Sequence, residues 1–470
     1  MRLGYLRYLK NLVMNKQKPP IIAIVGTTGV GKSQFSIDLA KHINGEIVNA
    51  DSMQVYKKLD LITNKHPMDE RNGIPHHVMD YVNWDEEYYI HRFDEEATKA
   101  IEDIYSRGKI PIIIGGTHYY LSKLLFKNKT IDDSERRELT NNEKDILDGP
   151  VEIIFEELKK YDPTISEKFH PQDKRKLRRA LEICYTMGQK PSDLYRDQKL
   201  AELEESSLVY RTLVFWVYSD NEILSDRLDK RVDLMIDNGA MTEINELYQF
   251  YTSQNEVDLT KGVWQVIGFK EFLPYLHAAK ENNKTDKELR KLLDEGIERM
   301  KIRTRQYAKY QVKFIKKLLS IELRKEARFN YKHGGKMYLL NASDLTKWDT
   351  NVKKRGFSIT SKFLENLDKV DDVEIPPELE GLFDNAPEFK SNKLLENQSW
   401  KHYKCEICKD QNDKNLVFIG EQKWTDHLNS KRHKRGLVKR QKLNNRMEYE
   451  RKHTITRDKK EDLQQDKEKQ

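Results

Sequence analysis

The sequence predicts an α/β protein: a P-loop core with a parallel sheet, a helical insertion domain and a small C-terminal C2H2 zinc finger. Three observations support this prediction. Residues 26–33 read G-T-T-G-V-G-K-S. Short runs rich in Ile and Val alternate with helix-like segments, which is typical of a parallel sheet covered by helices. Two Cys and two His near the C-terminus have the spacing of metal ligands.

The glycine-rich loop is the most specific motif. The apolar run Ile21–Val25 precedes it and the helix-like stretch Gln34–His42 follows, which is the context that a P-loop requires. The loop's backbone N–H groups and the helix N-terminus both favour phosphate oxygens. Lys32 adds a full charge, and Ser33 adds a hydroxyl for Mg²⁺. The predicted diphosphate-binding residues are Gly26, Thr27, Thr28, Gly29, Val30, Gly31, Lys32 and Ser33. The alternative is a chance glycine-rich turn.

The later strands argue against ordinary ATP hydrolysis. P-loop ATPases usually end a second strand in an Asp that holds Mg²⁺, whereas Ile110–Ile114 leads into Gly115, Gly116 and Thr117. An acid follows a different strand, because Glu46–Ala50 leads into Asp51. The carboxyl ends of parallel strands converge on the ligand crevice, so we expect Asp51 and Thr117 beside the P-loop. The alternative for Asp51 is a helix N-cap.

Composition places the chain among highly charged, reducing-compartment proteins. The 470 residues can hold two or three domains, and 34% of them are charged. No apolar run approaches the length of a membrane span. The three cysteines, Cys184, Cys405 and Cys408, form no disulfide framework, since two of them are spaced as a metal pair.

The net charge of +7 is unevenly distributed. Residues 1–18 carry +5 and residues 401–442 carry +7, so the remainder sums to −5. RNA binding by the core would therefore depend on two acid-free stripes, which would give salt-dependent phosphate contacts. The first stripe contains Lys174, Arg175, Lys176, Arg178 and Arg179, and the second contains Lys301, Arg303, Arg305, Lys309, Lys313, Lys316 and Lys317. The alternative for each stripe is a solvated helix face.

A metal site is predicted near the C-terminus. Cys405 and Cys408 are followed, after eighteen residues, by His427 and His433. Two thiolates and two imidazoles make a closed tetrahedral site for structural zinc. The His-x5-His spacing resembles matrin-type and U1-type fingers, and chance spacing is the alternative.

The expected organisation follows from these motifs and from composition. Residues 19–125 and 206–330 form the core, 126–205 a helical insertion that binds RNA, 331–400 a linker region with weak structure, 401–436 the finger, and 437–470 a charged mobile tail. Residues 1–18 place leucines at helical spacing among basic residues, which is typical of a mitochondrial presequence. A disordered basic tail is the alternative, and Met14 offers a second start that would leave the core whole.

The ordered motifs resemble one family, the tRNA dimethylallyltransferases or tRNA isopentenyltransferases, in its eukaryotic form with a C-terminal finger. The matching strings after the P-loop are N-A-D-S-M-Q-V-Y from Asn49, P-H-H from Pro75, I-I-G-G-T-H-Y-Y from Ile113, H-P-Q-D-K-R-K-L-R-R-A-L-E from His170, R-L-D-K-R-V-D-L-M from Arg227, Q-V-I-G-F-K-E from Gln265 and T-R-Q-Y-A-K-Y-Q from Thr304. Each is weak alone, but their order over some three hundred residues is highly specific. Tyr310 departs from the family, which more often has Arg there, so the RNA contact at this position is left open.

The resemblance implies a reaction and a set of site residues. A dimethylallyl group would pass from dimethylallyl diphosphate to the exocyclic amine of the adenosine immediately 3′ of the anticodon in tRNA. Asp51 would accept the amine proton, Thr117 would position the reacting groups, and Lys32 with Arg231 or Arg227 would neutralise the leaving diphosphate. The implied tRNA-binding residues are Asp51, Ser52, Met53, Gln54, Thr117, Gln172, Asp173, Lys174, Arg175, Lys176, Arg303, Arg305 and Lys309.

The resemblance also implies Mg²⁺ for catalysis, structural Zn²⁺ and the anticodon stem-loop of tRNA as partner. We expect a monomer with no membrane partner, located in the cytoplasm and mitochondrion, with the nucleus as a further candidate location. Two other hypotheses remain at this point. A P-loop kinase would need ATP and would give no account of the finger, and a non-enzymatic RNA-binding protein would not need Asp51, Lys32 and Thr117.

Overall fold

The computed structural model describes residues 18–127, 137–281, 284–365, 372–383, 401–410, 413 and 415–447. The chain divides into two compact units. The first comprises residues 1–130 and 204–389, and the second comprises residues 131–203 and 390–470. The predicted presequence, apart from Lys18, lies outside the described residues.

In the described part of the chain, eight strands form two sheets. They are β1 Pro20–Gly26, β2 Gly45–Asn49, β3 His76–His77, β4 Ile110–Ile114, β5 Arg211–Tyr218, β6 Gly334–Asn341, β7 His402–Lys409 and β8 Asn415–Ile419. The first unit holds a six-stranded sheet in the order β3-β2-β4-β1-β5-β6, and all of its pairings are parallel. In the second unit β7 and β8 pair antiparallel.

The helices surround the large sheet and build most of the second unit. They are α1 Lys32–Ile43, α2 Ile90–Ser106, α3 His118–Leu125, α4 Asn141–Asp148, α5 Val151–Tyr161, α6 Pro163–Lys168, α7 Lys174–Met187, α8 Pro191–Glu204, α9 Asn221–Asp237, α10 Ala240–Ser253, α11 Leu273–Glu281, α12 Asp286–Phe314, α13 Ser320–Arg324, α14 Arg355–Glu365 and α15 Glu421–Asn429. A further helix runs over residues 431–447. No helix among these described residues is both long enough and apolar enough to cross a bilayer.

Strand β1 is buried along its whole length between two apolar cores. Side chains alternate across a strand, so Ile21 and Val25 pack in one core while Ile22 and Ile24 pack in the other. Because both faces are covered, the strand sequence is continuously apolar rather than alternating. The predicted α/β class and the predicted strands at Ile21–Val25, Glu46–Ala50 and Ile110–Ile114 are confirmed.

The prediction that residues 331–400 form a weakly structured linker was wrong for much of its length. Gly334–Asn341 is β6, the edge strand that pairs parallel with β5. Gly356 on α14 packs so closely on the sheet side that a Cβ atom there would lie 2.4 Å from the Phe35 ring. The two glycines, the Pro-Pro pair and the scattered charges of this segment are typical of a linker. The strand was therefore missed, because it is short and its partner β5 lies more than a hundred residues earlier in the chain.

The helical part of the second unit has its own core. Leu147, Ile154, Leu158, Leu177 and Leu181 are fully buried in it. Side-chain caps fix the helix starts: Thr140 forms a capping box at α4, Asp162 caps α6 and Asp173 caps α7. These caps explain why a segment rich in charge is nevertheless helical.

The finger packs as a β-hairpin followed by two helices within the same unit. His170 donates to the carbonyl of Val417 (3.2 Å), and the Phe155 and His402 rings lie 6.0 Å apart. The helix that carries His433 continues to residue 447. The tail that was predicted to be mobile from residue 437 is helical over its first eleven residues, and its mobility stays a prediction. Residues 448–470 lie outside the described part.

A truncation tests the assignment of β6 to the core. A chain ending at residue 330 loses the edge strand and exposes the β5 edge, so we expect it to show no cooperative thermal unfolding. A chain ending at residue 400 keeps the six strands and serves as the control, with the core transition retained. Equal unfolding transitions in the two chains would contradict this account of β6.

Candidate active site

The P-loop connects β1 to α1 and is shaped by its last glycine. Gly31 has φ +89° and precedes Lys32 at the start of α1. A Cβ atom at Gly31 would lie 2.6 Å from the ring of Trp348. The left-handed backbone and the close ring both require glycine here. Trp348, which follows β6, therefore belongs to the wall behind the phosphate loop, although it lies in the segment predicted to be a linker.

Lys32 projects into a cavity of about 270 Å³ beside the loop. Its ammonium group donates to the carbonyl of Thr27 (2.7 Å). Burial lowers the pKa of Lys32 to about 8, with Asp51 opposing and Arg231 adding to the effect. A cation held in this way is poised for an anionic ligand, because a bound phosphate group would favour its charged form.

A single amide ties the P-loop to the loop after β4. Gln311 is buried, accepts from the backbone N–H of Thr28 (2.9 Å) and donates to the carbonyl of Gly116 (3.0 Å). Tyr307, one turn earlier on α12, donates to the same carbonyl (3.3 Å). Neither residue was among the predicted site residues. Both lie in the string T-R-Q-Y-A-K-Y-Q, which was the only sequence signal for them.

The strand ends bring the loops of Asp51 and Thr117 together, and of these two residues only Asp51 lines the cavities. A Cβ atom at Gly115 would lie only 2.2 Å from the carbonyl oxygen of Ala50, so the two loops touch through backbone. Thr117 accepts from the backbone N–H of Ser52 (3.0 Å) and its hydroxyl donates to the Ser52 hydroxyl (3.2 Å). The two loops are thereby fixed to each other at the edge of the cavity.

Asp51 forms a short turn rather than capping a regular helix. Its Oδ1 accepts from the backbone N–H of Met53 (2.9 Å), and residues 52–55 form turns. Burial raises the pKa of Asp51, while hydrogen bonds from the backbone and the charge of Lys32 oppose the rise. A carboxylate with a raised pKa is a better proton acceptor than an ordinary surface Asp.

A second cavity, of about 450 Å³, meets the first. Thr28, Asp51, Thr63, Asn64 and Arg231 line both cavities. The second cavity is more apolar in its lining side chains. Those side chains include Met53, Ile62, Met235, Val266, Ile267 and Met300. The arrangement offers one chamber suited to phosphates and one suited to a flat, largely apolar group, with a carboxylate between them.

The two arginines of α9 are placed differently. Arg231 lines both cavities, its Nε is buried without a hydrogen-bond partner among the described residues, and burial lowers its pKa to about 10. Arg227 instead donates to the backbone carbonyls of Ala342 and Ser343 and lines neither cavity. Arg231 is thus the arginine that faces the cavities, and Arg227 anchors the segment after β6.

The predicted RNA-binding residues of the first unit lie at or near the cavities. Ser52, Met53 and Arg303 line the second cavity, and Gln54 lines the first. Lys309 is exposed, whereas Arg305 is paired with Asp229. The ion pair makes Arg305 less available for an RNA contact than Lys309.

The remaining predicted RNA-binding residues lie in the second unit, at the start of α7. Lys176 pairs with the capping residue Asp173 (2.9 Å), and Lys174 donates to the carbonyl of Asp148 (2.9 Å). Arg175 is exposed, and the backbone N–H of Gln172 donates to His170 (3.1 Å).

The predicted metal ligands converge in the finger. The ligand atoms of Cys405, Cys408, His427 and His433 all lie within 4.8 Å of one another, and the four residues are buried. His433 Nδ1 lies 3.5 Å from Cys405 Sγ and 3.2 Å from His427 Nε2. Tetrahedral zinc with ordinary bond lengths separates S and N ligands by about 3.5 Å and two N ligands by about 3.4 Å. The four residues therefore fit a structural zinc ion, which would crosslink the hairpin to the two helices.

Comparisons with known proteins agree with the geometry. A family model described as IPP transferase matches residues 54–318, and one described as isopentenyl transferase matches residues 19–72. The tRNA dimethylallyltransferase of Saccharomyces cerevisiae is 48% identical over 422 residues, which covers 89% of this chain and 92% of the relative. The human protein of that description is 32% identical and covers 90% of this chain, with 87% of its own length matched.

One solved structure is similar over nearly the whole chain. It is described as eukaryotic dimethylallyltransferase acting on tRNA, is 46% identical, and superposes with a TM-score of 0.79. The match covers 92% of this chain and all of the other chain.

Metal analysis tests the finger. We expect one zinc ion per purified chain, because four buried donors close the tetrahedron. Cys408→Ser should lose the metal and unfold the small module. Cys184→Ser is the matched control, since Cys184 is also buried but lies in the helical core away from the cluster. Retention of zinc by Cys408→Ser, or its loss by Cys184→Ser, would contradict the assigned ligand set.

Proposed function

The chain belongs to the tRNA dimethylallyltransferase family, and on that basis we propose how its residues divide the reaction. The protein transfers a dimethylallyl group from dimethylallyl diphosphate to the exocyclic amine of the adenosine immediately 3′ of the anticodon in tRNA. The products are N6-isopentenyladenosine and diphosphate. The observation that carries the proposed division is that Asp51 and Arg231 line both the phosphate cavity and its apolar neighbour.

The diphosphate occupies the smaller cavity in this proposal. Backbone N–H groups of residues 26–33 and the start of α1 surround its oxygens. Lys32 and Arg231 neutralise the negative charge that grows on the leaving group as the C–O bond breaks. Because both cations are already buried and oriented, little reorganisation is needed as that charge develops.

Ser33 is the residue that would hold Mg²⁺. It lines the phosphate cavity at the start of α1, next to Lys32. When bound to the Ser33 hydroxyl and the diphosphate, Mg²⁺ would supply further charge neutralisation for the leaving group. The hydroxyl and phosphate oxygens are the hard ligands that this ion prefers.

The adenine enters the larger cavity. A base inside the anticodon loop must leave its stack to reach a buried carboxylate, so flipping of the adenosine is required. The apolar side chains of Met53, Ile62 and Met300 offer surfaces for the flat ring. Its amine nitrogen then attacks the first carbon of the prenyl chain, the C–O bond to diphosphate breaks, and a proton passes from nitrogen to Asp51. Thr117 and Ser52 hold the Asp51 loop in place through their paired hydroxyls.

Phosphates of the tRNA backbone contact the basic residues in this proposal. Near the larger cavity these contacts come from Arg303 and Lys309. In the second unit they come from residues at and just before the start of α7, namely Gln172, Lys174, Arg175 and Lys176.

We also propose that the enzyme acts as a monomer. Dual location in cytoplasm and mitochondrion, with possible nuclear presence, stays a prediction supported by the basic, acid-free residues 1–18.

The reaction can be tested with unmodified tRNA, labelled dimethylallyl diphosphate and Mg²⁺ in the absence of ATP. Label should appear in RNA under these conditions. A requirement for ATP cleavage would instead favour the kinase hypothesis, and RNA binding without transfer would favour a non-enzymatic protein.

Replacing the proposed base gives the first prediction for this chemistry. Asp51→Asn should lower kcat by at least about a hundredfold, the usual contribution of a positioned general base. The amide keeps an oxygen for the Met53 N–H, so both KM values should stay within a few-fold. Asp85→Asn is the control, because Asp85 is exposed and lines neither cavity. An unchanged kcat with a raised KM would make Asp51 a binding residue.

The depressed pKa of Lys32 predicts a basic limb in the pH profile. Lys32 is charged below its pKa of about 8, so kcat/KM for dimethylallyl diphosphate should fall as pH rises through about 8. This parameter reports the free enzyme. In Lys32→Arg the limb should move to much higher pH, since guanidinium stays charged. A limb that remained near pH 8 in that variant would belong to another group.

A further inference from the structure

An aromatic side chain stands at the mouth of the larger cavity. Tyr310 lines this cavity and is nevertheless 61% exposed. Tyr307, which lines the same cavity one turn earlier, donates to the carbonyl of Gly116 and is largely surrounded by protein. The two tyrosines therefore lie at different depths, with Tyr310 at the rim and Tyr307 inside.

The rim is built by one face of α12. Arg303, Tyr307 and Tyr310 follow one another at intervals of four and three residues, which places them in one row along the helix. Arg303 and Tyr310 both line the cavity and are separated by about 10 Å along the helix axis. Exposed cations, Lys309 and Lys313, lie beside the row. The neutral ring of Tyr310 thus lies among cations at the opening of the larger cavity, where the substrate base would enter in the proposed mechanism.

The position of Tyr310 beside the cavity distinguishes it from an isolated aromatic side chain on the surface. Single exposed apolar side chains are common and need no explanation. Tyr310, however, borders a cavity that is also lined by Asp51 and by the P-loop residue Thr28. A nucleoside that fills this cavity leaves its neighbours in the RNA strand at the rim. Unstacked bases in RNA loops bind to proteins mainly by stacking on aromatic rings.

We propose that the ring of Tyr310 stacks on the base of a nucleotide adjacent to the flipped adenosine. This proposal rests on the proposed function, since it takes the larger cavity to be the adenine site. Stacking on Tyr310 replaces part of the stacking that the neighbouring base loses when the adenosine leaves the loop. The surrounding cations contact phosphates, and the ring selects an RNA segment that is single-stranded at this point. Tyr310 is thereby a specificity-determining residue for loop substrates.

The chemistry predicts a distinct pattern among three substitutions. With an isolated anticodon stem-loop as substrate, Tyr310→Ala should raise KM about tenfold while kcat changes less than about threefold, because the stacking is lost on a base that takes no part in the reaction. Tyr310→Phe should behave as the unchanged enzyme, since the ring is kept. Tyr310→Arg should bind well at low salt but with a salt dependence steeper by about 0.7 in log–log slope, because a phosphate contact is gained. Tyr89→Ala, at an exposed tyrosine that lines neither cavity, is the matched control.

A spectroscopic measurement separates stacking from general loss of affinity. Stem-loops carrying 2-aminopurine immediately 5′ or immediately 3′ of the target adenosine are titrated with each variant. On one of the two sides the fluorescence in the complex should be quenched by the unchanged enzyme and by Tyr310→Phe, and should be higher with Tyr310→Ala. Equal fluorescence with Ala and Phe variants on both sides, or a Phe variant as impaired as the Ala variant, would overturn the proposal. Absence of transfer by the unchanged enzyme would instead contradict the proposed function.

Discussion

The site depends on one buried amide. Gln311 is almost wholly removed from solvent, and both ends of its side chain are used, one by the P-loop and one by the loop after β4. A buried amide with one partner removed would leave an unsatisfied polar group, which costs about 1–3 kcal/mol. The position of α12 over the strand ends is therefore closely specified. That helix in turn brings Tyr307, Tyr310 and Arg303 to the larger cavity.

The second constraint is electrostatic. Lys32 and Arg231 are cations whose pKa values burial lowers, while burial raises the pKa of Asp51 nearby. Holding such groups away from water is unfavourable in the free protein. One sign of this cost is the buried Nε of Arg231, which has no hydrogen-bond partner in the part of the chain that the structure describes. In the proposed mechanism, the negative charge of a bound diphosphate compensates the two cations for their lost hydration. The same low-polarity surroundings would strengthen their attraction for the leaving group during transfer.

The C-terminal part of the first unit, which was predicted to be a linker, is part of the core. Strand β6 closes one edge of the sheet, and the segment that follows it places Trp348 against Gly31 of the P-loop. Arg227 holds that segment through two backbone carbonyls. An arginine predicted to bind diphosphate is thus explained by packing. Arg227 affects the P-loop only indirectly, because it holds the segment whose Trp348 packs against Gly31.

Local patterns in the chain were enough for the features that neighbouring residues create. A strand, a glycine loop and a helix start are encoded within fifteen residues, so the P-loop was predicted correctly with Lys32 and Ser33 in it. The rule that parallel strands end at one crevice was enough to predict that the loops carrying Asp51 and Thr117 lie side by side. The spacing of Cys405, Cys408, His427 and His433 was enough for the metal cluster, because a metal site requires only its ligands.

Contacts between distant segments could not be read from local patterns. Gln311 meets Thr28 across 283 residues, and β6 meets β5 across more than a hundred. Neither pairing leaves a periodic signal in either partner, so Gln311 was missed and β6 was mistaken for a linker. The sequence could not decide between Arg227 and Arg231 for the same reason. The two residues lie one turn apart on α9, and only contacts with distant segments determine which guanidinium faces the cavities.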